Sequence, residues 1–401
     1  MGLTIGILGA GSFARSFIPL FQAHPAVDAV YLAEVLPERR AEQAARFGIR
    51  RTFASLDELC ASDCDAIAIF TQRWLHGPQA LQALRAGKHV YSAVPAAISV
   101  AEMAALVRAV EQTSLIYMVG ETSYYYPATL YCRERFRRGD FGRFVYAEGE
   151  YLHDMSHGFY AAYQHSGGAE WQRTASFPPM LYATHSVSMV LSVTGAQLTH
   201  VACLGQVDAE DDGVFRADVS LWGNAFSNQT ALFRSSDGGM VRINEFRRVG
   251  LSGGPSVRLS LYGTRASFEE QPNARVWNTL RADDPENLTD LTDRLACQPL
   301  PVPATARDEI DSALQADFFT GVSAVHPIER LPATFAGLPN GHYGSHQFLV
   351  CDFVEAVVTR RQPPNNVWES ARNCLPGIIA HESAKQGGRL RAIPDFGDPP
   401  R

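Results

Sequence analysis

The stretch Leu3-Thr4-Ile5-Gly6-Ile7-Leu8-Gly9-Ala10-Gly11-Ser12-Phe13-Ala14 decides the fold. Its first half is an apolar, strand-like run, and its second half places glycines where a strand must turn at once into a helix. Gly9 permits the tight turn, Gly11 lets backbone approach a pyrophosphate, and the small Ala14 lets helix and strand pack closely. Ser12 and Phe13 open the helix, whose N-terminus turns partial positive charge toward phosphates. Alone, such a turn carries little weight. Glu34 strengthens it, because an acidic residue at the end of the second strand can accept from both ribose hydroxyls and would repel a 2'-phosphate. The expected cofactor is therefore NAD rather than NADP, with Arg39 and Arg40 as nearby cations that argue the other way. The alternative is a structural glycine turn beside a solvated glutamate.

Outward from this stretch, short apolar runs alternate with helical patterns. After Thr4 to Leu8 come Phe13 to Ala23, Ala29 to Ala33, Pro37 to Phe47, Ala66 to Phe70, Gly77 to Ala86, Val90 to Ser92, Val100 to Gln112 and Leu115 to Val119. Such alternation predicts a parallel sheet covered on both faces. After Glu121 the period changes. Phe144 to Leu152, Arg216 to Leu221, Ser227 to Phe233 and Met240 to Arg247 read as alternating strands of a large, mostly antiparallel sheet. Gly250 to Pro255 and Asp283 to Thr305 read as loops, and Phe348 to Thr359 and Val367 to Gln386 as closing helices. The fold class is α/β, with a Rossmann domain over 1–122 and an α+β domain over 123–401 that carries a large open sheet.

With 401 residues the chain exceeds what one hydrophobic core usually supports, which favours two domains. Its net charge of -7 comes without a basic run, so a nucleic-acid partner is not expected. No stretch approaches the roughly 20 uncharged apolar residues of a membrane-spanning helix. The chain opens on a strand-like segment without leader-like features, so a cytoplasmic location is expected. Seven scattered cysteines without a Cys-x-x-Cys pair read as reduced, mostly buried thiols. Lys88 and Lys385 are the only lysines.

Two further segments, Thr71-Gln72-Arg73-Trp74-Leu75-His76 and Ala86-Gly87-Lys88-His89-Val90-Tyr91-Ser92-Ala93-Val94-Pro95, resemble the Gfo/Idh/MocA oxidoreductases. That resemblance implies a Rossmann domain joined to a larger sheet domain, with Thr71, Arg73, Trp74, His76, Ala93, Val94, Pro95 and Thr122 beside the cofactor. In dehydrogenases of the family the segment before the proline reads Glu-Lys-Pro, and its lysine handles substrate and proton. Here it reads Ala93-Val94-Pro95. Neither remaining lysine replaces it easily.

Four later segments resemble glycoside hydrolase family 109, an NAD-dependent branch known for α-N-acetylgalactosaminidase activity. They are Gly120-Glu121-Thr122, the strand Glu148-Gly149-Glu150-Tyr151-Leu152-His153, Trp171-Gln172-Arg173, and Tyr182-Ala183-Thr184-His185. Tyr151 and His153, two residues apart on a strand, face the same side. Carried over by motif, the resemblance implies Glu121, Tyr151, His153, Tyr182 and His185 as catalytic groups and Arg173, Trp171 and Thr184 as substrate contacts. His342, in Gly341-His342-Tyr343-Gly344-Ser345-His346, resembles a segment that many members place over the substrate. Helix capping by Ser345 explains that segment equally well.

The implied chemistry is redox-neutral: hydride leaves a sugar ring carbon, expected to be carbon 3, His185 or a neighbour takes the hydroxyl proton, Tyr151 removes the acidified carbon 2 proton, and the anomeric group departs. Water then adds and the ring is reduced again. A phenol with an ordinary pKa of about 10 needs a cation to serve as base, for which Arg173 or the nicotinamide charge are candidates. The competing functions are a net sugar or cyclitol dehydrogenase and a non-catalytic NAD-binding regulator. Each residue also has a bland reading. Tyr151 and Tyr182 can be core-edge aromatics, His185 a packing residue, Arg173 a surface residue and Glu121 a strand-end carboxylate. His153, Asp154 and His157 read as a solvated cluster, and no metal is expected. The expected partners are a small carbohydrate or glycoside and further copies of the chain, as a homodimer or homotetramer.

Overall fold

In the computed structural model, which describes residues 2–251, 256–299 and 319–400, the alternation resolves into two sheets, one in each of two compact units. The first unit takes residues up to Tyr126, the described part of Ala296–Ala371 and the chain end after Phe396. The second takes Pro127–Leu295 and Arg372–Asp395. The expected division at 122 thus moves to 126, and the later domain is not one continuous stretch.

The first sheet is built of β1 (Leu3–Leu8), β2 (Val27–Ala33), β3 (Thr52–Phe53), β4 (Ala66–Ile69), β5 (His89–Ser92) and β6 (Tyr117–Val119). All pair in parallel, in the order β3-β2-β1-β4-β5-β6. The order reverses beside β1, the place where doubly wound sheets open a crevice. All four residues of β4 are buried, as expected for a strand covered on both faces.

The helices of this unit begin with α1 (Ser12–Arg15) and α2 (Ile18–Ala23). The single helix expected over Phe13 to Ala23 is broken because Pro19 offers no amide to the carbonyl of Arg15. Next come α3 (Pro37–Arg46), α4 (Leu56–Cys60), α5 (His76–Arg85) and α6 (Val100–Thr113). Ser55 and Ser99 cap α4 and α6 by accepting from the amides of Glu58 and Glu102. The later helix His346–Thr359 returns to this unit, where Phe353 meets Phe21 and Tyr91 edge-on.

The second unit adds α7 (Pro127–Arg137), β7 (Phe144–Leu152), α8 (Tyr160–Gly167), α9 (Trp171–Ala175) and α10 (Thr184–Thr194). Its strands continue with β8 (Leu198–Val207), β9 (Phe226–Ser235), β10 (Met240–Phe246), β11 (Val257–Gly263), β12 (Ala266–Glu270), β13 (Arg275–Thr279), β14 (Thr289–Asp290) and β15 (Arg391–Ala392). They order as β14-β13-β12-β11-β7-β10-β9-β8-β15, antiparallel except where β7 and β10 run side by side in parallel. Arg216 to Leu221, expected as a strand, is a turn instead. Phe215 is left-handed there, and the amides of Val219 and Ser220 both donate to the carbonyl of Arg216. Parts of the two expected loops, 252–255 and 300–305, lie outside the described residues.

Along β7 the alternation is clean. Ala147, Gly149 and Tyr151 are buried while Tyr146, Glu148 and Glu150 are half-buried on the other face. Gly149 is required by a close approach: a Cβ there would lie 2.3 Å from the carbonyl oxygen of Ser186 in α10. The glycine therefore lets α10, and with it His185, settle directly on the strand that carries Tyr151.

Candidate active site

Within the first unit, Gly9 takes φ +90, and a Cβ on it would stand 2.9 Å from the carbonyl oxygen of Phe70 at the end of β4. The turn is held from the other side by Glu34, just beyond β2. Its carboxylate accepts from the amides of Ala10 at 2.9 Å and Leu36 at 3.0 Å, and Arg40 donates to its backbone carbonyl at 2.7 Å. Glu34 is thus buried and oriented rather than a solvated surface charge, and each oxygen keeps a second lone pair for a hydroxyl. A Cβ added to Gly11 would meet no protein atom within 4 Å, and α1 begins without a side-chain cap. Open space, uncapped amide donors and an oriented carboxylate fit a dinucleotide.

The loops after β4 and β5 are tied together by His76. Its ring lies 3.0 Å from the carbonyl oxygen of Pro95 and 3.1 Å from that of Thr71. Burial pushes this histidine down to about 4 against the pull of the two carbonyls, so the ring is neutral at pH 7. Thr71 is fixed by Gln79, and Arg73 and Trp74 lie in the short turn between. Ala93, Val94 and Pro95 are all buried. Glu121 is fully buried and does a strand-end job, accepting from the amide of Ser123 at 3.0 Å and its hydroxyl at 2.8 Å. Thr122 meets the phenol of Tyr126 at 3.1 Å.

His342 and Tyr343 are both left-handed, with φ 47 and 54, a costly geometry for residues with side chains. The segment is pinned because a Cβ on Gly344 would meet the Gly321 carbonyl oxygen at 2.4 Å. His342 Nδ1 lies 3.0 Å from Nε2 of the fully buried His346, and Phe13 of the glycine turn sits edge-on to both rings. Ser345 makes no side-chain cap, which removes the capping explanation for this segment.

Within the second unit, four rings gather at the end of β7. Tyr151 stacks with His153 at 5.6 Å and 17°, which places both on one face as the two-residue period requires. His185 lies 5.6 Å and Tyr182 5.8 Å from Tyr151. His153 also stacks on Phe159 at 4.1 Å. Asp154 is committed to backbone, accepting from the amides of Ser156 and Val249.

Beneath the rings lies a buried ion pair that the motifs did not reveal. Glu245 of β10 stands in register with Tyr151, fully buried, and pairs with Arg247 at 3.1 Å. Ser186 of α10 donates to the same carboxylate. Burial lifts Glu245 to about 7, against the opposing pull of Arg247 and Ser186. The Arg247 guanidinium sits over the Tyr151 ring, 4.7 Å from its centroid. Arg173, expected near the phenol, is instead an exposed residue of α9 with Glu170 3.7 Å away. Trp171 packs in a small satellite core with Met155, Tyr163 and Phe215. Thr184 opens α10 and is buried beside His185.

Comparison with known proteins gives this geometry a context. Residues 3–121 match the Gfo/Idh/MocA family, described as an oxidoreductase family with an NAD-binding Rossmann fold. The match takes in the first sheet and covers less than a third of the chain. A Streptomyces niveus glycosyl hydrolase family 109 protein is 25% identical over 98% of this chain and 77% of its own. A 4-carboxy-2-hydroxymuconate-6-semialdehyde dehydrogenase from a Sphingobium species is 30% identical, but over 34% of this chain and 44% of its own length. A levoglucosan dehydrogenase solved with NADH superposes with a TM-score of 0.73 at 18% identity, covering 99% of this chain and 100% of that one.

That match accords with the expected Rossmann fold and with NAD as the cofactor. Among the described residues, no helix is long and apolar enough to cross a membrane. All seven cysteines are free thiols, and only Cys60 and Cys297 are not buried.

Proposed function

We propose that the protein is an NAD-dependent enzyme acting on a sugar, and that its net reaction is cleavage of a glycoside by transient oxidation, elimination, hydration and re-reduction. The observation that carries this reading is the cluster of Tyr151, His153, Tyr182 and His185 around one point, with Arg247 beneath, in a chain whose Rossmann domain has the buried Val94 where a dehydrogenase lysine would stand. Likeness to a family 109 protein across 98% of the chain supports it.

Bound NAD would supply reversible hydride exchange with a ring carbon, seated by Gly9, Gly11 and Glu34. The remaining steps belong to the side chains. His185, buried on α10, takes the hydroxyl proton of carbon 3, and Tyr151 takes the proton of carbon 2 once carbon 3 is a ketone. His153 and Tyr182 flank the phenol and orient the ring. Arg173, Trp171, Thr184 and His342 are assigned to substrate contact, and Glu121 to positioning behind its buried cap. No pair of carboxylates flanking the anomeric carbon is needed, unlike the common glycosidase arrangement.

The test is a panel of chromogenic glycosides with catalytic NAD in deuterated water, followed by mass analysis. Release of chromophore with one deuterium at carbon 2 and no net reduced cofactor is expected. Release without deuterium removes Tyr151 from its role. The semialdehyde and levoglucosan dehydrogenases among the similar proteins favour one competing reading, a net sugar dehydrogenase. It predicts steady accumulation of reduced cofactor with free sugars.

Self-association belongs to the same proposal. Leu204, Leu232 and Met240 on β8, β9 and β10 are each more than half exposed, an apolar face that suits a dimer or tetramer. Light scattering checks it, and a monomer at working concentration contradicts it.

A further inference from the structure

The reading of Tyr151 as proton acceptor leaves a chemical difficulty, and this inference rests on that reading. A phenol in water is almost wholly protonated at neutral pH, so something must favour its anion. Groups that face Tyr151 include the rings of His153, His185 and Tyr182, the carboxyl of Glu245 in register on β10, and the guanidinium of Arg247. On the other flank its register partner is the apolar Val257 of β11. Of these, Arg247 alone carries a fixed positive charge. Two residues after Glu245 on the same strand line, it comes back onto the face that holds Tyr151.

We propose that Arg247 is the positioning residue that makes the Tyr151 phenol acidic, and that Glu245 and Ser186 exist to hold Arg247 beneath that ring. Three geometric facts carry it. The guanidinium lies 4.7 Å from the Tyr151 centroid and 5.6 Å from that of Phe159, so it is clamped between two ring faces. Two of its donors go to the carboxylate of Glu245 at 3.1 Å and the carbonyl of Phe246 at 3.0 Å, one from each terminal nitrogen, which orients its plane. The pair is cut off from water, with side-chain exposures of 5% and 0%, so counter-ions do not screen the charge.

A buried ion pair would ordinarily cancel its own field. Burial holds the Glu245 carboxyl up to about 7, so near neutrality it is partly protonated while arginine remains charged. The pair then presents net positive charge to the phenol. An opposite charge at 4–6 Å lowers an acid's pKa by about one to three units.

The experiment uses the full-length protein without substrate, so that it stands apart from the deuterium test. Tyrosine is labelled with 13C at the phenol carbon, and the resonance that disappears in Tyr151→Phe is titrated by NMR. It is expected to ionise at least about one pH unit below the exposed tyrosines, to move up by about one unit or more in Arg247→Met, and to return part of the way in Arg247→Lys. If Arg247→Met does not fold, the wild-type titration and Arg247→Lys still decide. A Tyr151 that ionises with or above the other tyrosines overturns the proposal, as does an Arg247→Met curve that superimposes on wild type. A low-titrating phenol found together with no deuterium at carbon 2 would leave this inference standing and remove the glycosidase reading instead.

Discussion

Each of the two units buries ionisable groups, and two sets of them serve opposite purposes. In the first, His76, His89 and His326 are each pushed by burial down to about 4, and His346 lies well below its ordinary value. They act as neutral hydrogen-bonding wedges, as when His76 joins the two loops beside the glycine turn. In the second, Glu245 is lifted to about 7 and is locked to a permanent cation under a phenol. The first set is therefore uncharged at pH 7, and the second holds charge that responds near neutral pH. A cofactor cradle gains from the first property, and proton transfer needs the second.

The comparison breaks most sharply at Tyr151. Tyr151→Phe is expected to lower turnover of any processed glycoside by about 10²–10⁴-fold while leaving NAD affinity unchanged, measured by steady-state rates and by cofactor fluorescence titration. Equal loss of both would mean that the second cluster is structural.

Next in size are pH effects of opposite sign. His76 is depressed when folded, so the unfolded chain binds its proton first. The stability it contributes is present above about pH 6.5 and is lost as pH falls toward 4. Glu245 is raised when folded, so its contribution is full below about pH 4.5 and is lost as pH rises through about 7. Urea unfolding should show Glu245→Gln gaining on wild type by up to roughly 3 kcal/mol between these two values. His76→Gln should gain on wild type in the acid direction instead. Parallel curves for the two variants would erase the contrast.

Gly149→Ala sharpens the picture structurally. The new methyl would push against the Ser186 carbonyl, at a cost of about 1–3 kcal/mol in stability, and would shift His185 relative to Tyr151. Activity should fall further than the melting temperature alone explains. The smallest effect is expected at Ser345→Ala, within about 0.5 kcal/mol in thermal unfolding, because that hydroxyl caps nothing.

Much of this was legible in the chain itself. The alternation of runs points to the parallel sheet, and β7 falls on its expected residues because its two-residue period holds from Tyr146 to Tyr151. Glu34 and the glycines were legible because one backbone geometry demands them. Other features were not. Pro19 is a helix breaker, but the apolar run around it masks the break. Thr52–Phe53 and Leu56–Cys60 are too short to show a period. Arg216 to Leu221 alternates like a strand, but left-handed Phe215 redirects it, and no residue type announces that geometry. Left-handed His342 and Tyr343 were hidden for the same reason. Glu245 and Arg247 could have been found: in Met240 to Arg247 they continue the buried phase of Val241 and Ile243, so the pattern places a carboxylate and a guanidinium side by side in a core. Motif resemblance points to Arg173 instead, which sequence proximity to Trp171 cannot distinguish from a surface residue.

The return of the chain to the first unit bears on how the protein is made. Phe21 and Tyr91 emerge early in synthesis, but the helix His346–Thr359, whose Phe353 covers them, is translated only after every strand of the second sheet except β15. A nascent Rossmann sheet therefore waits, with that aromatic patch bare, until residues 346–359 have been made. Release of a polypeptide stopped near residue 122 would yield a sticky fragment rather than a working nucleotide binder.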